Sequence, residues 1–199
     1  MDVNTVELVG PPQVTELLDI GTKAAIRLIR TGLVGPLYRF VQYEMVERRR
    51  LEVLADPETW PVRNLDDMPP AFVVRIGPPD ESGAEDFPGP PGADGNRPHW
   101  KRSWKGWHKD APRDEQLAGI TRWWEIREPE QLTGLLFVAT VSGFTVEVGR
   151  IKGARPSGRD TTWAFDVTEP PEEDAEASAW RNVRTKQPPG GPRLRHGID

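Results

Sequence analysis

Two basic side chains lie one helical turn apart near the start of the sequence. Lys23 and Arg27 are one helical turn apart in a segment with helical periodicity. Lys and Arg donate hydrogen bonds to guanine edges and to phosphates, and the first turn of such a helix can enter the major groove. Basic and hydroxyl side chains are the groups that contact double-stranded DNA, and the residues predicted to do so are Thr22, Lys23, Arg27, Arg30, Arg39 and Arg48.

Tryptophans interleaved with cations form a second candidate site. The residues predicted to line a base or ligand pocket are Trp104, Trp107, Arg122, Trp123 and Trp124. Indole rings stack on bases at about 1–3 kcal/mol per base, and cations meet phosphate, so this pattern suits single-stranded nucleic acid or an extruded base. Small β domains also use Trp as core filler, and for any single Trp that is the simpler interpretation.

The sequence contains few residues of the types that form catalytic or metal sites. The chain has no cysteine, which excludes disulfides, thiolate metal sites and cysteine nucleophiles. Its three histidines are His99, His108 and His196, and His196 lies in the predicted tail, so a histidine-based metal site or catalytic triad has few residues available. The Gly-rich stretch 83–95 lacks the Lys-Ser/Thr ending of a phosphate-binding loop. We expect no enzyme activity, no metal site and no cofactor.

Charge is segregated along the chain. The formal net charge of −5 argues against a uniformly basic surface, although it leaves local patches undetermined. Acidic residues without any Lys or Arg occupy 78–96, and basic residues follow from Arg97 to Lys109. The sign of the charge in each segment therefore matters more for a nucleic-acid contact than the net charge of the chain does.

Helical periodicity extends over residues 12–55. Val14, Leu17 and Leu18 share one face, and the spacing repeats from Ala25 to Ile29 after a break at Asp19-Ile20-Gly21. Gly32 and Gly35-Pro36 end the second helix. A third helix is predicted from Gln42 to Ala55, ending at Asp56-Pro57.

The segment from Val14 to Gly32 resembles the helix-turn-helix of the excisionase and MerR-like families. Ile20 matches the buried aliphatic residue of the turn, and Arg27-Leu-Ile-Arg-Thr-Gly32 matches the end of the recognition helix. The resemblance covers about a quarter of the chain. Gly21 departs from it, because Ser or Thr usually caps this helix.

That resemblance implies DNA binding by the second helix. Thr22, Lys23 and Arg27 would face the groove, Tyr38-Arg39-Phe40 would form the returning strand of a short wing, and Arg48, Arg49 and Arg50 could face phosphate. The alternative is an ordinary helical hairpin whose arginines form a solvated face.

Beyond Trp60 the pattern changes to the alternation of β-strands. Strands are predicted over 71–77, 121–126, 135–141, 144–151 and 162–167, with a tight hairpin at Ser142-Gly143. Residues 99–108 fit either a strand or an ordered loop.

The order of motifs in this part resembles a PUA-like barrel of the EVE and ASCH kind. The motifs are Trp107-His108, Thr121-Arg-Trp-Trp124, Phe137 to Phe144, Val148-Gly-Arg-Ile151 and Trp163-Ala-Phe165. The resemblance implies an aromatic-walled pocket for a modified base or an RNA nucleotide.

These elements predict an α+β chain in three parts. Residues 1–57 form a winged helix-turn-helix module, and residues 58–168 form a small mixed or antiparallel β-barrel with a mobile acidic Pro/Gly-rich insertion at 78–98. Residues 169–199 are predicted to be a disordered tail, apart from a short element near Trp180.

Three functions compete. The leading one is a DNA-binding protein with a regulatory or accessory role, such as transcription regulation. The alternatives are a reader of RNA or of a modified base, and a protein-interaction or assembly module without nucleic-acid affinity. The expected partner is double-stranded DNA, with single-stranded or modified nucleic acid as an alternative and a homodimer left open. No signal peptide is visible and Leu135 to Val141 is too short to span a bilayer, so a cytoplasmic protein without membrane contact is expected.

Overall fold

The computed structural model describes residues 6–89, 99–157 and 161–186, together with the backbone of 193–196. This part of the chain is mixed α+β and contains five α-helices. The N-terminal elements are β1 (Leu8–Val9), α1 (Pro11–Leu18), α2 (Thr22–Arg30), β2 (Tyr38–Phe40), β3 (Tyr43–Glu47) and α3 (Arg48–Ala55). The elements that follow are β4 (Val62–Asn64), β5 (Ala71–Arg75), β6 (Glu85–Pro88), β7 (His99–Arg102), α4 (Arg113–Thr121), β8 (Trp124–Glu125), β9 (Leu136–Val141), β10 (Phe144–Pro156), β11 (Thr162–Thr168), α5 (Ala175–Trp180), β12 (Arg184–Lys186) and β13 (Arg193–His196).

The first two helices lie where their periodicity predicts them. Two prolines begin α1, where their missing N–H groups cost no helical hydrogen bond, and Gly10 N donates to Gln13 Oε1 at 3.2 Å. Asp19 ends α1 in the left-handed region, with φ 48°. Val14 of α1 and Leu28 of α2 are among the buried residues that hold the two helices together.

The third helix begins later than its sequence predicts. The expected helix over Gln42–Ala55 is wrong for its first turns, because Tyr43–Glu47 is strand β3. This strand lies in the middle of a three-stranded sheet of order β1-β3-β2, and Val46 pairs with Val9 inside the core. Backbone pairing on both sides outweighs the local helical preference.

The largest sheet is open. Its order is β13-β5-β9-β10-β11-β8, and β12 joins it beside β10 and pairs with β4. Neighbours are antiparallel except for the parallel pairs β5–β9 and β12–β4. No sheet closes into a barrel among the described residues, so the predicted barrel is not observed.

Both faces of this sheet are covered, which explains why it does not need to close. Along β5, Phe72 and Val74 face a core shared with the N-terminal helices, whereas Ala71 and Val73 face a second cluster around Trp180. Successive side chains of β9 also face the two clusters in turn. Because each face already has its own cover, closing the sheet on itself would bury no additional apolar surface.

One core therefore joins the two parts that the sequence predicts as 1–57 and 58–168. Val14, Leu28 and Leu51 belong to the same buried cluster as Phe72 and Phe137. Polar contacts cross the same boundary: the Ser142 hydroxyl donates to the carbonyl of Ala24 at 2.8 Å, and Lys109 N donates to the carbonyl of Thr31 at 2.9 Å.

The mobile insertion predicted at 78–98 is wrong for its first half. Residues Glu81–Gly83 form a 3-10 turn capped by the Asp80 carboxylate, and β6 pairs with β7 in an antiparallel hairpin. Long-range pairing orders this acidic, proline-rich stretch. Residues 90–98 lie outside the described part of the chain.

The disordered tail predicted at 169–199 is also wrong over 169–186. The Asp174 carboxylate caps α5 by accepting from Ala177 N at 3.0 Å, and Trp180 is completely buried against the main sheet. Strand β13, over Arg193–His196, pairs with β5. The short element near Trp180 is thus confirmed, and it forms the cover of the second sheet face. Residues 187–192 and 197–199 lie outside the described part.

Candidate functional site

The exposed face of α2 is the first candidate site. Its buried side consists of Ala25, Leu28 and Ile29, as the alternation with polar residues predicts. Lys23, Arg27 and Arg30 follow one another at intervals of four and three residues, so they form a single stripe opposite the buried side. All three side chains are exposed.

The start of α2 is also exposed. Gly21 and Thr22 lie at the surface, and Gly21 provides no side-chain cap. The first backbone N–H groups of a helix have no intrahelical partner, so they favour an anionic group at this end. Thr22 and Lys23 therefore present a hydroxyl and an ammonium beside unpaired backbone donors.

Carboxylates neutralise some of the predicted DNA contacts. Arg30 Nε lies 2.7 Å from Glu44 Oε2, and Arg39 is 3.8 Å from the other oxygen of the same carboxylate. Arg48 Nε is 2.6 Å from Glu7 Oε1. Within residues 6–89, 99–157 and 161–186, no ion pair involves Lys23 or Arg27. These two side chains remain available to a ligand.

The hairpin β2–β3 beside α2 is held by a polar network at its base. The Tyr38 hydroxyl donates to Glu47 Oε1 at 2.7 Å, and Arg50 Nε donates to Glu47 Oε2 at 3.1 Å. The hydrogen bond from Tyr38 is the main cause that lowers the pKa of Glu47, and the same bond raises the pKa of the Tyr38 phenol. The tip is apolar, with Phe40 and Val41 exposed.

A cavity of about 700 Å³ beside the end of β5 is the second candidate site. Three segments surround it: residues 75–83 after β5, residues 102–106 after β7, and residues 119–124 at the end of α4. Their backbones are hydrogen-bonded to one another. Gly106 N donates to Gly119 O at 2.9 Å, and Asp80 and Lys105 exchange two backbone hydrogen bonds of 2.8 and 3.1 Å.

Gly106 allows these backbones to approach so closely. Its φ is +105°, and a Cβ at this position would lie 2.4 Å from the carbonyl oxygen of Pro78. A side chain is therefore excluded by both conformation and space. The wall of the cavity is a closely packed, hydrogen-bonded surface.

Two arginines share one carboxylate at the edge of the cavity. Arg102 is buried and donates to Glu85 Oε1 at 2.8 Å, to Gly83 O at 2.7 Å and to Arg122 O at 3.1 Å. Arg122 Nη1 lies 3.5 Å from Glu85 Oε2, and its guanidinium carbon is 5.5 Å from the centre of the Trp100 ring. Burial lowers the pKa of both guanidinium groups.

Three of the five predicted pocket residues line this cavity, and the other two do not. Arg122, Trp123 and Trp124 line the cavity together. Trp107 lies instead in the core, in the same buried cluster as residues of the N-terminal helices. Trp104 is half-buried and is not among the residues that line this cavity. Trp107 therefore follows the simpler interpretation of a Trp as core filler.

The predicted pocket residues leave out three further cations that line the cavity. Arg75 ends β5, Arg102 ends β7, and Lys105 follows three residues later, paired with Asp80 at 3.1 Å. A basic residue at the end of an apolar strand was the available signal for Arg75, whereas Arg102 and Lys105 lie among the tryptophans of the second candidate site. The pairing of their strands with distant partners could not be read from that signal.

No group of three or more His, Asp or Glu side chains in the described part of the chain is arranged to hold a metal ion. None of the helices described is long and apolar enough to cross a membrane.

Comparison with protein-family models, with curated proteins and with solved structures finds no match for this chain. The resemblances to a helix-turn-helix and to a PUA-like barrel therefore stay predictions.

Proposed function

We propose that this chain binds double-stranded DNA as a regulatory or accessory protein, with α2 placed in the major groove. In this proposal α1, the turn Asp19–Gly21 and α2 act as a helix-turn-helix, and the hairpin β2–β3 acts as a short wing. The observation that carries the proposal is the exposed stripe of Lys23, Arg27 and Arg30 opposite the buried side of α2.

The scaffold supports this use of α2. Its apolar side packs in the core with α1 and α3, and the Ser142 hydroxyl from the β9–β10 turn holds the carbonyl of Ala24. A helix fixed on its inner side and exposed on its outer side presents its side chains in one orientation, as groove recognition requires.

The ion pairs assign unequal roles to the basic residues. Lys23 and Arg27 would bind phosphate or base edges directly, since no carboxylate pairs with them among the described residues. Arg30 and Arg48 would first have to leave Glu44 and Glu7. We therefore expect Lys23 and Arg27 to contribute most of the affinity for DNA.

The test is duplex binding by the double variant Lys23→Ala/Arg27→Ala, measured by fluorescence anisotropy at several salt concentrations. Each lost phosphate contact reduces the slope of log K against log salt by about 0.9. We expect weaker binding and a slope reduced by about 1 to 2.

A control variant must remove the same charge elsewhere. Arg63→Ala/Lys152→Ala removes two exposed cations, from β4 and β10, that lie outside the α2 face. It should bind DNA as the unmodified chain does. Unchanged binding by a folded Lys23→Ala/Arg27→Ala variant, or equal losses in both variants, would contradict the proposal.

A further inference from the structure

Three apolar side chains are exposed together at the tip of the hairpin β2–β3, residues 40–43. Phe40 is 53% exposed, Tyr43 is 63% exposed, and Val41, in the turn between them, is fully exposed. Phe40 and Tyr43 are cross-strand partners, so their rings lie on the same face of the hairpin. Apolar side chains that cluster at one exposed place, rather than being scattered singly, indicate an interaction surface.

The backbone at this tip adopts an unfavourable conformation. Val41 has a φ of +56°, in the left-handed region that a β-branched residue rarely occupies. Glycine or asparagine would adopt this turn at lower cost. Because Val41 is fully exposed, packing within the described part of the chain does not explain the valine. A strained side chain that the fold does not use suggests a contact outside the fold.

Ion pairs attach the base of the hairpin to the exposed stripe of α2. Glu44 of β3 accepts a hydrogen bond from Arg30 Nε at 2.7 Å, and Arg39 of β2 lies 3.8 Å from the other oxygen of that carboxylate. Arg30 is the last member of the stripe on α2. When α2 lies in a major groove, the hairpin tip is therefore held beside the same duplex, next to the C-terminal end of the helix.

Polar groups suited to DNA flank the apolar tip. The side chain of Arg39, directly before Phe40, is 71% exposed, because Glu44 pairs more closely with Arg30. Gln42 is exposed in the turn. Arginine and glutamine are used to contact the minor groove by proteins that also insert apolar side chains between base steps. The hairpin tip combines these residue types within five consecutive positions, 39–43.

We propose that the hairpin tip is a wedge that enters the minor groove beside α2 and bends the duplex. Phe40 and Val41 press into one base step, Tyr43 packs along the sugars, and Arg39 meets a flanking phosphate. The proposal rests on the DNA binding proposed for α2 and adds the partial unstacking of a base step to it. Steps that unstack easily, such as TA and CA, should therefore be preferred at this position.

The small size of the tip favours DNA over a second copy of the chain. A stable protein interface buries roughly 1,200–2,000 Å² in total, which a four-residue turn does not supply by itself. On DNA the tip needs no large area of its own, because α2 provides the main contact. Self-association and binding to a lipid surface are outcomes that the experiment must separate from wedge insertion.

The experiment measures bending of a duplex that the full chain enriches from a random library. Resonance energy transfer between dyes at the two ends reports the bend, and 2-aminopurine placed at successive adenines reports unstacking. Apolar wedges kink DNA by roughly 20–90°, so we expect a bend of at least about 20° and increased fluorescence at one step. The variant Phe40→Ala/Val41→Gly/Tyr43→Ala should lose most of both signals. Its salt dependence of binding should stay unchanged, because no charge is removed.

Two further variants control for folding and for the loss of exposed apolar surface. Val41→Gly relieves the left-handed strain, so its Tm should not fall although its bend should decrease. This variant keeps the test valid if the triple variant does not fold. Val62→Ala removes an exposed apolar side chain from β4, outside the hairpin, and should bend DNA as the unmodified chain does.

The outcomes separate the wedge from DNA binding by α2. Equal bending and unstacking by the unmodified chain and the tip variants, or their absence in both while duplex binding still requires Lys23 and Arg27, would overturn the wedge alone. No saturable duplex binding by the unmodified chain would overturn both proposals. Co-sedimentation with vesicles of phosphatidylcholine and phosphatidylglycerol, or self-association in analytical ultracentrifugation, that depends on the tip while bending does not, would also overturn the wedge. Either result would assign the tip to a lipid surface or to a second copy.

Discussion

The substitution Trp180→Ala tests whether the C-terminal part of the chain is a structural layer of the fold. Trp180 is completely buried, and its indole N–H donates to Pro69 O at 3.1 Å. It packs with Ala177 and Val183 against the main-sheet residues Val73 and Val138. Truncation would leave a large cavity between α5 and the sheet.

The expected cost follows from this burial. Truncating a buried aromatic side chain to alanine costs about 3–5 kcal/mol, because apolar contacts are lost and the cavity collapses only partly. The carbonyl of Pro69 also loses its donor, which places the cost in the upper part of that range. For a chain of this size, each kcal/mol lowers Tm by about 2–4 °C, so Tm should fall by about 10–20 °C.

Urea denaturation followed by circular dichroism measures the free energy of unfolding, and scanning calorimetry measures Tm. Trp180→Phe retains most of the apolar ring and should cost less than Trp180→Ala. The matched control is Phe40→Ala, which truncates an exposed aromatic residue and should change the free energy of unfolding by less than about 1 kcal/mol. If Trp180→Ala costs no more than this control, residues 169–186 do not form a layer of the fold.

Two further predictions concern buried groups. Burial raises the pKa of Glu147, although its salt bridge with Arg113 opposes the shift, so the folded chain holds this proton to a higher pH than the unfolded chain does. The free energy of unfolding, relative to Glu147→Gln, should therefore decrease as pH rises from the ordinary pKa of glutamate to the raised pKa of the folded chain. Urea denaturation of both chains at several pH values measures this, and an increase would contradict it. Gly106→Ala should destabilise the chain by about 2 kcal/mol or more, because a left-handed φ and the Pro78 carbonyl both oppose a Cβ. A thermal melt checks this, with Gly153→Ala, where a Cβ would meet no neighbour, as the control; equal Tm values would refute it.

Local patterns predicted the first two helices well. The spacing of Ala25, Leu28 and Ile29 defines the buried side of α2, and the same spacing places Lys23 and Arg27 on the exposed side. The periodicity of a helix depends only on residues that are close along the chain, so it can be recognised in the sequence without knowledge of tertiary contacts.

Segments that depend on distant partners were predicted less well. Tyr43–Glu47 reads locally as part of a helix, but pairing with β1 and β2 makes it a strand. The acidic stretch 78–89 has the composition of a disordered segment, but its strand β6 pairs with β7. The tail around Trp180 has a similar composition, but it covers one face of the main sheet. Composition describes the average of a segment and does not reveal a single well-placed partner.

The candidate sites show the same division. The sequence alone determined that the chain has no cysteine chemistry, that a basic helix lies near its start, and that tryptophans and cations alternate around Arg122. Only the tertiary structure decided which of these residues meet. It placed Trp107 in the core, left Lys23 and Arg27 without carboxylate partners among the described residues, and brought Arg75 and Arg102 from separate strands to Arg122. Strand pairing and burial, which join residues far apart in sequence, determined those positions.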